Sequence, residues 1–215
     1  MNIVLLGAPG SGKGTHAQRL STNLNWPHIS TGDILRQHLA DSTALGNKAK
    51  QFMDSGQLVP DTLIIELMED RLAKSDCQQG FILDGFPRTI AQAEALDKLL
   101  QQQQKNIDKV IALTVPLAVI ISRMAGRLSC KQCGAVYHRD NLPPKVEGVC
   151  DRCGQPLSTR SDDQPDTVKA RYHVYEEQTA PLIAYYEKQE KVLSVNSAEG
   201  TVESIYERIV KLLGV

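Results

Sequence analysis

Short, almost continuous apolar runs alternate with longer segments of mixed polarity along most of the chain. The runs Asn2–Leu6, Gly80–Asp84 and Lys109–Val115 have the composition of strands that are buried on both faces of a sheet. A shorter run, Val192–Val195, lies near the carboxyl end. Because strands that alternate with helices form a parallel sheet covered by helices on both faces, the pattern predicts an α/β fold.

The segments between these runs have the residue spacing of helices. In the last of them Val202, Ile205, Ile209 and Leu212 recur every three or four positions, which places them on one helix face. The pattern predicts helices over Lys13–Asn25, Thr62–Lys74, Ile90–Gln104, Leu117–Leu128, Thr167–Lys191 and Val202–Leu213.

Two stretches interrupt the alternation of strand and helix. Residues 30–59 have a polar helical pattern without a strand, and residues 126–163 contain many turn-forming residues and the clustered cysteines. We expect both to be insertions over one edge of the sheet. The predicted core then comprises residues 1–29, 60–125 and 164–215.

Composition and charge limit the classes of partner. The chain has 215 residues, 41% hydrophobic and 23% charged, which is typical of a globular protein. Its 24 Lys and Arg balance 25 Asp and Glu, so no general attraction to nucleic acid or to an anionic membrane is expected. No apolar run could span a bilayer, and Ile3–Leu6, with no basic residue before it, is too short for a signal peptide. We therefore expect a cytoplasmic protein and, since no apolar stripe is left for a partner, a monomer.

The segment Gly7–Thr15 follows the first predicted strand and opens the first predicted helix, which is the context of a phosphate-binding loop. Its glycines let successive backbone N–H groups face one point, and the helix N-terminus adds a positive partial charge. Lys13 can reach the outer phosphates of a nucleotide, and a nearby hydroxyl can approach a metal ion. The strict pattern has Ser or Thr directly after the lysine, whereas here Gly14 precedes Thr15. The alternative is a glycine-rich loop without a ligand.

The sequence Asp84-Gly-Phe-Pro-Arg88 stands at the end of the second predicted strand. Ligands of open parallel sheets bind beyond the carboxyl ends of the strands. Asp84 could therefore hold Mg²⁺ through water, and Arg88 offers a two-pronged grip on phosphate. Taken alone, the pentapeptide fits an ordinary turn equally well; beside a phosphate loop, the functional interpretation is favoured.

Several arginines lie where a solvent-exposed face would more commonly carry lysine. Arg123 and Arg127 are four residues apart on one predicted helix and would share a face. Arg36, Arg160 and Arg171 lie in other predicted helical or loop segments. Because guanidinium groups bind phosphate in a two-pronged geometry, they are candidates for a nucleotide site. For any one of them the alternative is a surface ion pair.

Four of the five cysteines form two closely spaced pairs, Cys130 with Cys133 and Cys150 with Cys153, separated by 16 residues. This spacing is typical of a tetrahedral zinc site, and four protein ligands leave no open position for water, so the zinc would be structural. Iron in the same cage, buried thiols and two disulfides are the alternatives. Cys77 has no partner in the sequence and is interpreted as a core residue or an incidental thiol.

Together these segments resemble the adenylate kinase family, in particular its zinc-binding, long-lid type. The resemblance covers nearly the whole chain, although His16 stands where Gln is frequent. The motifs that carry it, in order, are Gly7–Thr15, Ser30-Thr-Gly-Asp33, Gly56-x-Leu58-Val59-Pro60, Asp84-Gly-Phe-Pro-Arg88 with Gln92, and Arg160-x-Asp162-Asp163.

The resemblance implies a Mg²⁺-dependent phosphotransferase with the reaction ATP + AMP = 2 ADP, in which residues 30–59 bind AMP and residues 126–163 form a zinc-bearing lid. The implied ATP contacts are Gly10, Ser11, Gly12, Lys13, Gly14, Thr15, Arg127, Val136, Tyr137 and Gly200. The implied AMP contacts are Thr31, Arg36, Gln57, Leu58, Val59, Gly85, Phe86, Pro87, Arg88, Gln92, Arg160 and Arg171. The implied catalytic residues are Lys13, Asp84, Arg88, Arg123, Arg127, Arg160 and Arg171. The implied zinc ligands are Cys130, Cys133, Cys150 and Cys153.

Other protein classes fit less well. An ATPase with a nucleic-acid-binding zinc ribbon would need a basic surface interleaved with aromatic residues, which the balanced charge does not offer. A switch GTPase would have Ser or Thr directly after Lys13 and an Asn-Lys-x-Asp motif, and the chain has neither. A uridylate or cytidylate kinase is the nearest alternative. The cysteine-bearing lid favours adenylate kinase, as does Gln92, whose amide can pair with an adenine edge.

Overall fold

The computed structural model describes residues 1–215 and is built around a parallel sheet. Its strands are β1 (Asn2–Gly7), β2 (His28–Ser30), β3 (Phe81–Asp84), β4 (Lys109–Thr114), β5 (Arg127–Cys130), β6 (Val136–His138), β7 (Leu157–Ser158) and β8 (Val192–Asn196). Five of them form the central sheet in the order β2-β3-β1-β4-β8, with every neighbouring pair parallel.

Helices cover both faces of this sheet. They are α1 (Lys13–Leu24), α2 (Thr31–Ala40), α3 (Ala44–Ser55), α4 (Asp61–Leu72), α5 (Ile90–Gln102), α6 (Leu117–Ala125), α7 (Pro165–Val174), α8 (Pro181–Glu187) and α9 (Val202–Leu213). Successive residues of β1 point to opposite cores. Val4 and Leu6 pack with α4, α5 and α8, whereas Ile3 and Leu5 pack with α1 and α9. The predicted α/β architecture is therefore confirmed. None of the helices combines the length and apolar composition that crossing a membrane requires.

One strand is absent from the sequence prediction, and two local predictions are wrong. The strand β2 was not predicted, because three residues at the sheet edge are too few to show a hydrophobic pattern. The predicted helix Thr167–Lys191 is interrupted by a π-helical turn at Tyr175–Thr179. A new helix begins at Pro181, which has no backbone N–H to continue the hydrogen bonds of the preceding helix. Arg123 and Arg127 do not share a helix, since α6 ends at Ala125 and Arg127 opens β5.

Residues 31–59 and 126–163 contribute no strand to the central sheet. Residues 30–59 contain α2 and α3, whose first turns are capped by the hydroxyls of Ser30 and Thr43. Residues 126–163 contain an antiparallel sheet in the order β6-β5-β7. The buried hydrophobic residues of that small sheet are only Cys130, Ala135, Tyr137 and Cys150.

Candidate nucleotide-binding site

The loop between β1 and α1 depends on glycine. Gly10 and Gly12 have positive φ values of 79° and 95°, which favour glycine. Gly7 admits no side chain, because a Cβ there would lie 2.7 Å from the carbonyl oxygen of Leu113. The helix α1 begins directly after Gly12, so its first N–H groups and its positive end face the loop. The loop therefore has the backbone and the helix terminus that phosphate binding requires.

Lys13 reaches back over this loop. Its Nζ donates hydrogen bonds to the carbonyl oxygens of Gly7 at 2.8 Å and Ala8 at 2.9 Å. Burial lowers the pKa of Lys13 from 10.5 to about 8, although the negative charge of Asp84 opposes the shift. An anionic ligand at this point would stabilise the ammonium group.

Asp84 lies at the end of β3, opposite the start of α1. Burial alone would raise the pKa of this carboxyl, but the hydrogen bond from His28 at 3.3 Å and the charge of Lys13 hold the pKa below its usual value. A Cβ on Gly14 would lie 3.2 Å from Asp84 Oδ2. Glycine directly after Lys13 therefore lets the carboxylate stand close to the helix start, which accounts for the departure from the strict loop pattern.

Nearby oxygen atoms hold three arginines of the larger cleft: Arg36, Arg88 and Arg160. Arg36 Nη2 donates to Asp33 Oδ1 at 2.5 Å, and Arg160 Nη2 lies 3.7 Å from the same oxygen. Arg88 Nε donates to the carbonyl oxygen of Gly85 at 2.8 Å. Gly85 has a φ of 76°, and a Cβ there would lie 2.8 Å from Arg88 Nη2. Glycine at this turn thus leaves room for the guanidinium of Arg88.

Two further arginines pair with buried carboxylates. Arg127 binds both carboxylate oxygens of Asp163, and Arg171 Nη1 donates to Asp162 Oδ2 at 2.6 Å. Burial and nearby cations lower the pKa of Arg171 to about 10 and that of Arg160 to about 9. The carboxylates of Asp162 and Asp163 only partly neutralise the positive charge of the clustered arginines. A polyphosphate is therefore a ligand of complementary charge.

Arg123 contacts the loop before α9. Its guanidinium donates to the backbone oxygen of Ser197, and Nη1 lies 3.4 Å from Ser197 Oγ. Ser197 is fully buried, and its hydroxyl donates to the carbonyl oxygen of Ser11 at 2.9 Å. Arg123 is thus connected through Ser197 to the phosphate-binding loop.

The sequence-predicted residues line two adjoining clefts. The smaller cleft is lined by Thr31, Arg36, Gln57, Leu58, Val59, Gly85, Pro87, Arg88, Gln92 and Arg171. The larger cleft is lined by Gly10, Ser11, Gly12, Lys13, Gly14, Thr15, Asp84, Arg123, Arg127, Val136, Tyr137, Arg160 and Gly200. The charged residues that line both clefts are Lys13, Arg36, Arg88, Asp162 and Arg171. Phe86 lines neither cleft and packs in the larger core.

The four paired cysteines come together in the small antiparallel sheet. All their Sγ atoms lie within 4.8 Å of one another, and none forms a disulfide. Cys130 Sγ is 3.4 Å from Cys153 Sγ, and Cys133 Sγ is 3.6 Å from Cys150 Sγ. Sulfur ligands about 2.3 Å from a tetrahedral zinc ion stand about 3.8 Å apart, so the cluster has the size of a zinc site.

Three residues near the clefts give no recognisable functional signal in the sequence. His28 bonds Asp84 and Ser197 bonds the phosphate-binding loop, but neither belongs to a motif. Asp61 accepts a hydrogen bond from Gln92 of the smaller cleft. The only sequence clue to Asp61 is its place directly after Pro60, where a helix start commonly carries an acidic residue.

The site combines a glycine-dependent loop at the start of α1, a half-buried lysine, a carboxylate at the end of β3 and a cluster of arginines. Together these features define a phosphate-loop phosphotransferase. The family model described as "Adenylate kinase" matches residues 5–191. The adenylate kinase of Caldicellulosiruptor bescii is 53% identical over 215 residues, covering all of both chains. That of Clostridium acetobutylicum is 50% identical over 214 residues, covering 100% of this chain and 99% of its own. That of Archaeoglobus fulgidus is 48% identical over 213 residues, covering 99% and 98%.

The chain belongs to the adenylate kinase family. The family predicted from the ordered motifs is therefore confirmed, together with its class as a phosphotransferase.

Proposed function

We propose that this protein catalyses the reversible transfer ATP + AMP = 2 ADP and so maintains the balance of adenine nucleotides. The observation that carries the proposal is that the two clefts meet at a wall of shared cations, Lys13, Arg36, Arg88 and Arg171. A phosphoryl group passing between nucleotides in the two clefts would cross this wall. The names of the relatives support the same reaction.

The larger cleft is the proposed ATP site. Residues 10–15 would surround the phosphates with backbone N–H groups, and Lys13 would contact the outer phosphates. Val136, Tyr137 and Gly200 would cover the rest of the nucleotide. The smaller cleft is the proposed AMP site, where Arg36 and Arg88 would grip the phosphate. The remaining proposed AMP contacts in this cleft are Thr31, Gln57, Leu58, Val59, Gly85, Pro87, Gln92 and Arg171, and Arg160 would reach the AMP phosphate from the larger cleft. Phe86 is buried in the core and is not retained as an AMP contact.

Phosphoryl transfer requires positioning and charge neutralisation more than covalent chemistry by the protein. Arg123, Arg127, Arg160 and Arg171 would complement the charge that spreads over the transferring group. When bound with ATP, Mg²⁺ would neutralise phosphate charge. Carboxylate and hydroxyl oxygens are ligands that Mg²⁺ prefers, so the ionised Asp84, through water, and Thr15 are the residues that would hold it.

We propose that residues 30–59 and 126–163 act as two covers on the core of residues 1–29, 60–125 and 164–215. Closure with both nucleotides bound would exclude water, which is the competing phosphoryl acceptor. The arginines divide accordingly: Arg36 belongs to the first cover, and Arg127 and Arg160 belong to the second.

Both clefts are lined by one chain, so we propose that the enzyme works as a monomer. Unpaired thiols in the second cover fit a reducing compartment, which supports a cytoplasmic location. A mass near 23.7 kDa in light scattering would support the monomer, and twice that mass would contradict it.

A coupled assay with ATP and one acceptor at a time tests the proposed substrate. We expect kcat/KM for AMP to exceed the values for UMP, CMP and GMP by at least a hundredfold. A higher kcat/KM for UMP or CMP would indicate a uridylate or cytidylate kinase. Equal values for all four acceptors would contradict a site that recognises adenine.

We further propose that the four clustered cysteines hold a structural zinc ion. Apart from cysteines, the only buried apolar residues of the second cover are Tyr137 and Ala135, whereas Leu142, Val146 and Val149 are exposed. Such a small apolar core does not offset the chain entropy of nearly forty residues. Metal binding to the thiolates would supply the missing free energy.

Removal of the metal should destabilise the protein without stopping the chemistry. Cys150→Ser with Cys153→Ser, or chelation, should lower Tm by at least about 5 °C, because about 2 kcal/mol shifts Tm by that amount in a chain of this size. Turnover should persist at low temperature, since Lys13, Asp84 and Arg88 lie outside the cysteine cluster. Calorimetry, metal analysis and assays at 10 °C measure these effects.

The matched control is Cys77→Ala, which removes the one thiol outside the cluster. It should keep one zinc per chain. Absence of metal from the purified protein, or loss of turnover in a fully folded stripped enzyme, would contradict the structural role. Iron in place of zinc would identify the alternative metal.

The lowered pKa of Lys13 predicts a specific pH dependence. The ammonium group loses its proton as pH rises through about 8, well below the ordinary 10.5. Because kcat/KM reports ionisations of the free enzyme, kcat/KM for ATP should fall above pH about 8. The pH at which kcat falls should be higher than the pH at which kcat/KM falls, since bound phosphates stabilise the protonated Lys13. Steady-state profiles from pH 7 to 10 test this, and a kcat/KM that stays flat to pH 9.5 would contradict it.

A further inference from the structure

The side-chain amide of Gln92, in the wall of the smaller cleft, has one fixed orientation. Gln92 Oε1 accepts a hydrogen bond from the backbone N–H of Arg88 at 2.7 Å. Gln92 Nε2 donates to Asp61 Oδ1, also at 2.7 Å. A flipped amide would set Nε2 against the Arg88 N–H and Oε1 against a carboxylate, so both contacts would become repulsive. The orientation is therefore set by the two partners.

Asp61 is the partner that a substitution can change. It is the first residue of α4, and its second carboxylate oxygen accepts a hydrogen bond from Thr89 Oγ1 at 2.9 Å. Thr89 caps α5 by accepting from the backbone N–H of Gln92 at 3.2 Å. Asp61 thus joins the start of α4 to the capped start of α5, in which Gln92 stands.

The fixed amide presents a defined pattern to a base. An amide has two N–H donors and two acceptor lone pairs, and each Gln92 amide atom uses only one of them within the protein. One donor and one acceptor remain. Adenine offers the complementary pair, the N6 amino donor beside a ring nitrogen acceptor, whereas guanine offers the O6 acceptor beside either the N7 acceptor or the N1–H donor. A reversed amide would favour the N1–H and O6 edge of guanine.

We propose that Asp61 is a positioning residue that fixes the amide of Gln92 and thereby sets the preference of the smaller cleft for an adenine over a guanine acceptor. The inference rests on the proposed function of this cleft. Asp61 acts through Gln92 and does not itself contact the nucleotide. Without Asp61, only the backbone N–H of Arg88 would hold the amide, and an amide held by one partner would weaken base discrimination more than it weakens the chemical step.

The test measures kcat and KM for AMP and for GMP in Asp61→Ala and Asp61→Ser. The serine keeps a polar group at the start of α4 but is too short to reach Gln92. In both variants we expect the ratio of kcat/KM for AMP to that for GMP to fall at least tenfold. The change should appear in KM for AMP, with kcat within about threefold of wild type and KM for ATP unchanged.

Three further variants separate positioning from a structural role. Asp61→Asn should restore the ratio, because its Oδ1 can accept from Gln92 while Nδ2 donates to Thr89. Thr89→Ala removes the cap of α5 and should lower Tm, but it should change the ratio much less than Asp61→Ala does, because Asp61 Oδ1 still accepts from Gln92. On a Gln92→Ala background, Asp61→Ala should leave the ratio unchanged, since the group through which Asp61 acts is gone.

An unchanged ratio in the folded Asp61→Ala or Asp61→Ser protein would overturn the proposal, and so would an equal change in Thr89→Ala. If Asp61→Ala alone fails to fold, Asp61→Ser decides. A wild-type enzyme that does not phosphorylate AMP would instead overturn the proposed function, so the two failures are distinguishable.

Discussion

Replacement of Lys13 by methionine is expected to lower kcat/KM for phosphoryl transfer at least a hundredfold, about 2.7 kcal/mol of transition-state stabilisation. Methionine has a similar length and no charge, so it removes the ammonium group that would contact the transferring phosphate. The fold should remain intact, because the only hydrogen bonds that the Lys13 side chain donates are to two carbonyl oxygens of the loop. Steady-state kinetics and circular dichroism measure the two effects.

Lys74→Met is the matched control for this variant. Lys74 is exposed and follows the carboxyl end of α4, so its loss should leave kcat/KM within about twofold of wild type. If Lys13→Met keeps more than a tenth of wild-type kcat/KM, less than about 1.4 kcal/mol is at stake and the proposed role of Lys13 is wrong.

Arg88→Lys is expected to lose nearly as much activity as Arg88→Ala, a hundredfold or more in kcat/KM for AMP. The guanidinium of Arg88 is placed by its hydrogen bond to the carbonyl oxygen of Gly85 and by the space that a glycine leaves at that turn. An ammonium group is a point charge and cannot reproduce a planar two-pronged grip on phosphate. Kinetics with AMP varied at saturating ATP measure the loss.

The matched control is Arg71→Lys. Arg71 also makes a two-pronged contact, with both carboxylate oxygens of Asp76 at 2.9 and 2.7 Å, but it lies outside both clefts. Its replacement should slightly lower stability and leave kcat/KM unchanged. Near-normal turnover of Arg88→Lys would show that Arg88 acts only as a neighbouring positive charge.

The main strands and the phosphate-binding loop could be predicted from the sequence because each is encoded locally. Residues of β1 are buried on both sides, which requires a continuous apolar run, and Gly7–Thr15 holds its whole motif within nine positions. The strand β2 could not be predicted, since its three residues are defined by pairing with β3. The end of α6 was placed too late because Leu128 continues an apolar helical spacing that Gly126 interrupts.

The positioning contacts of the site could not be predicted because they join distant parts of the chain. Ser197 bonds the carbonyl oxygen of Ser11 across 186 positions, and Asp61 bonds Gln92 across 31. Neither contact leaves a periodic or motif signal. The acidic partners Asp162 and Asp163 stood in a motif, but their pairing with Arg171 and Arg127 required the folded structure.

The fate of the γ-phosphate of ATP tests the central claim most directly. The enzyme is incubated with AMP and with ATP labelled in the γ-phosphate, and the labelled products are separated. The proposed function predicts that nearly all of the transferred label appears in ADP, that omission of AMP leaves ATP essentially intact, and that Lys13→Met abolishes the transfer. Label released mainly as inorganic phosphate, or transferred to another nucleoside monophosphate in preference to AMP, would contradict it.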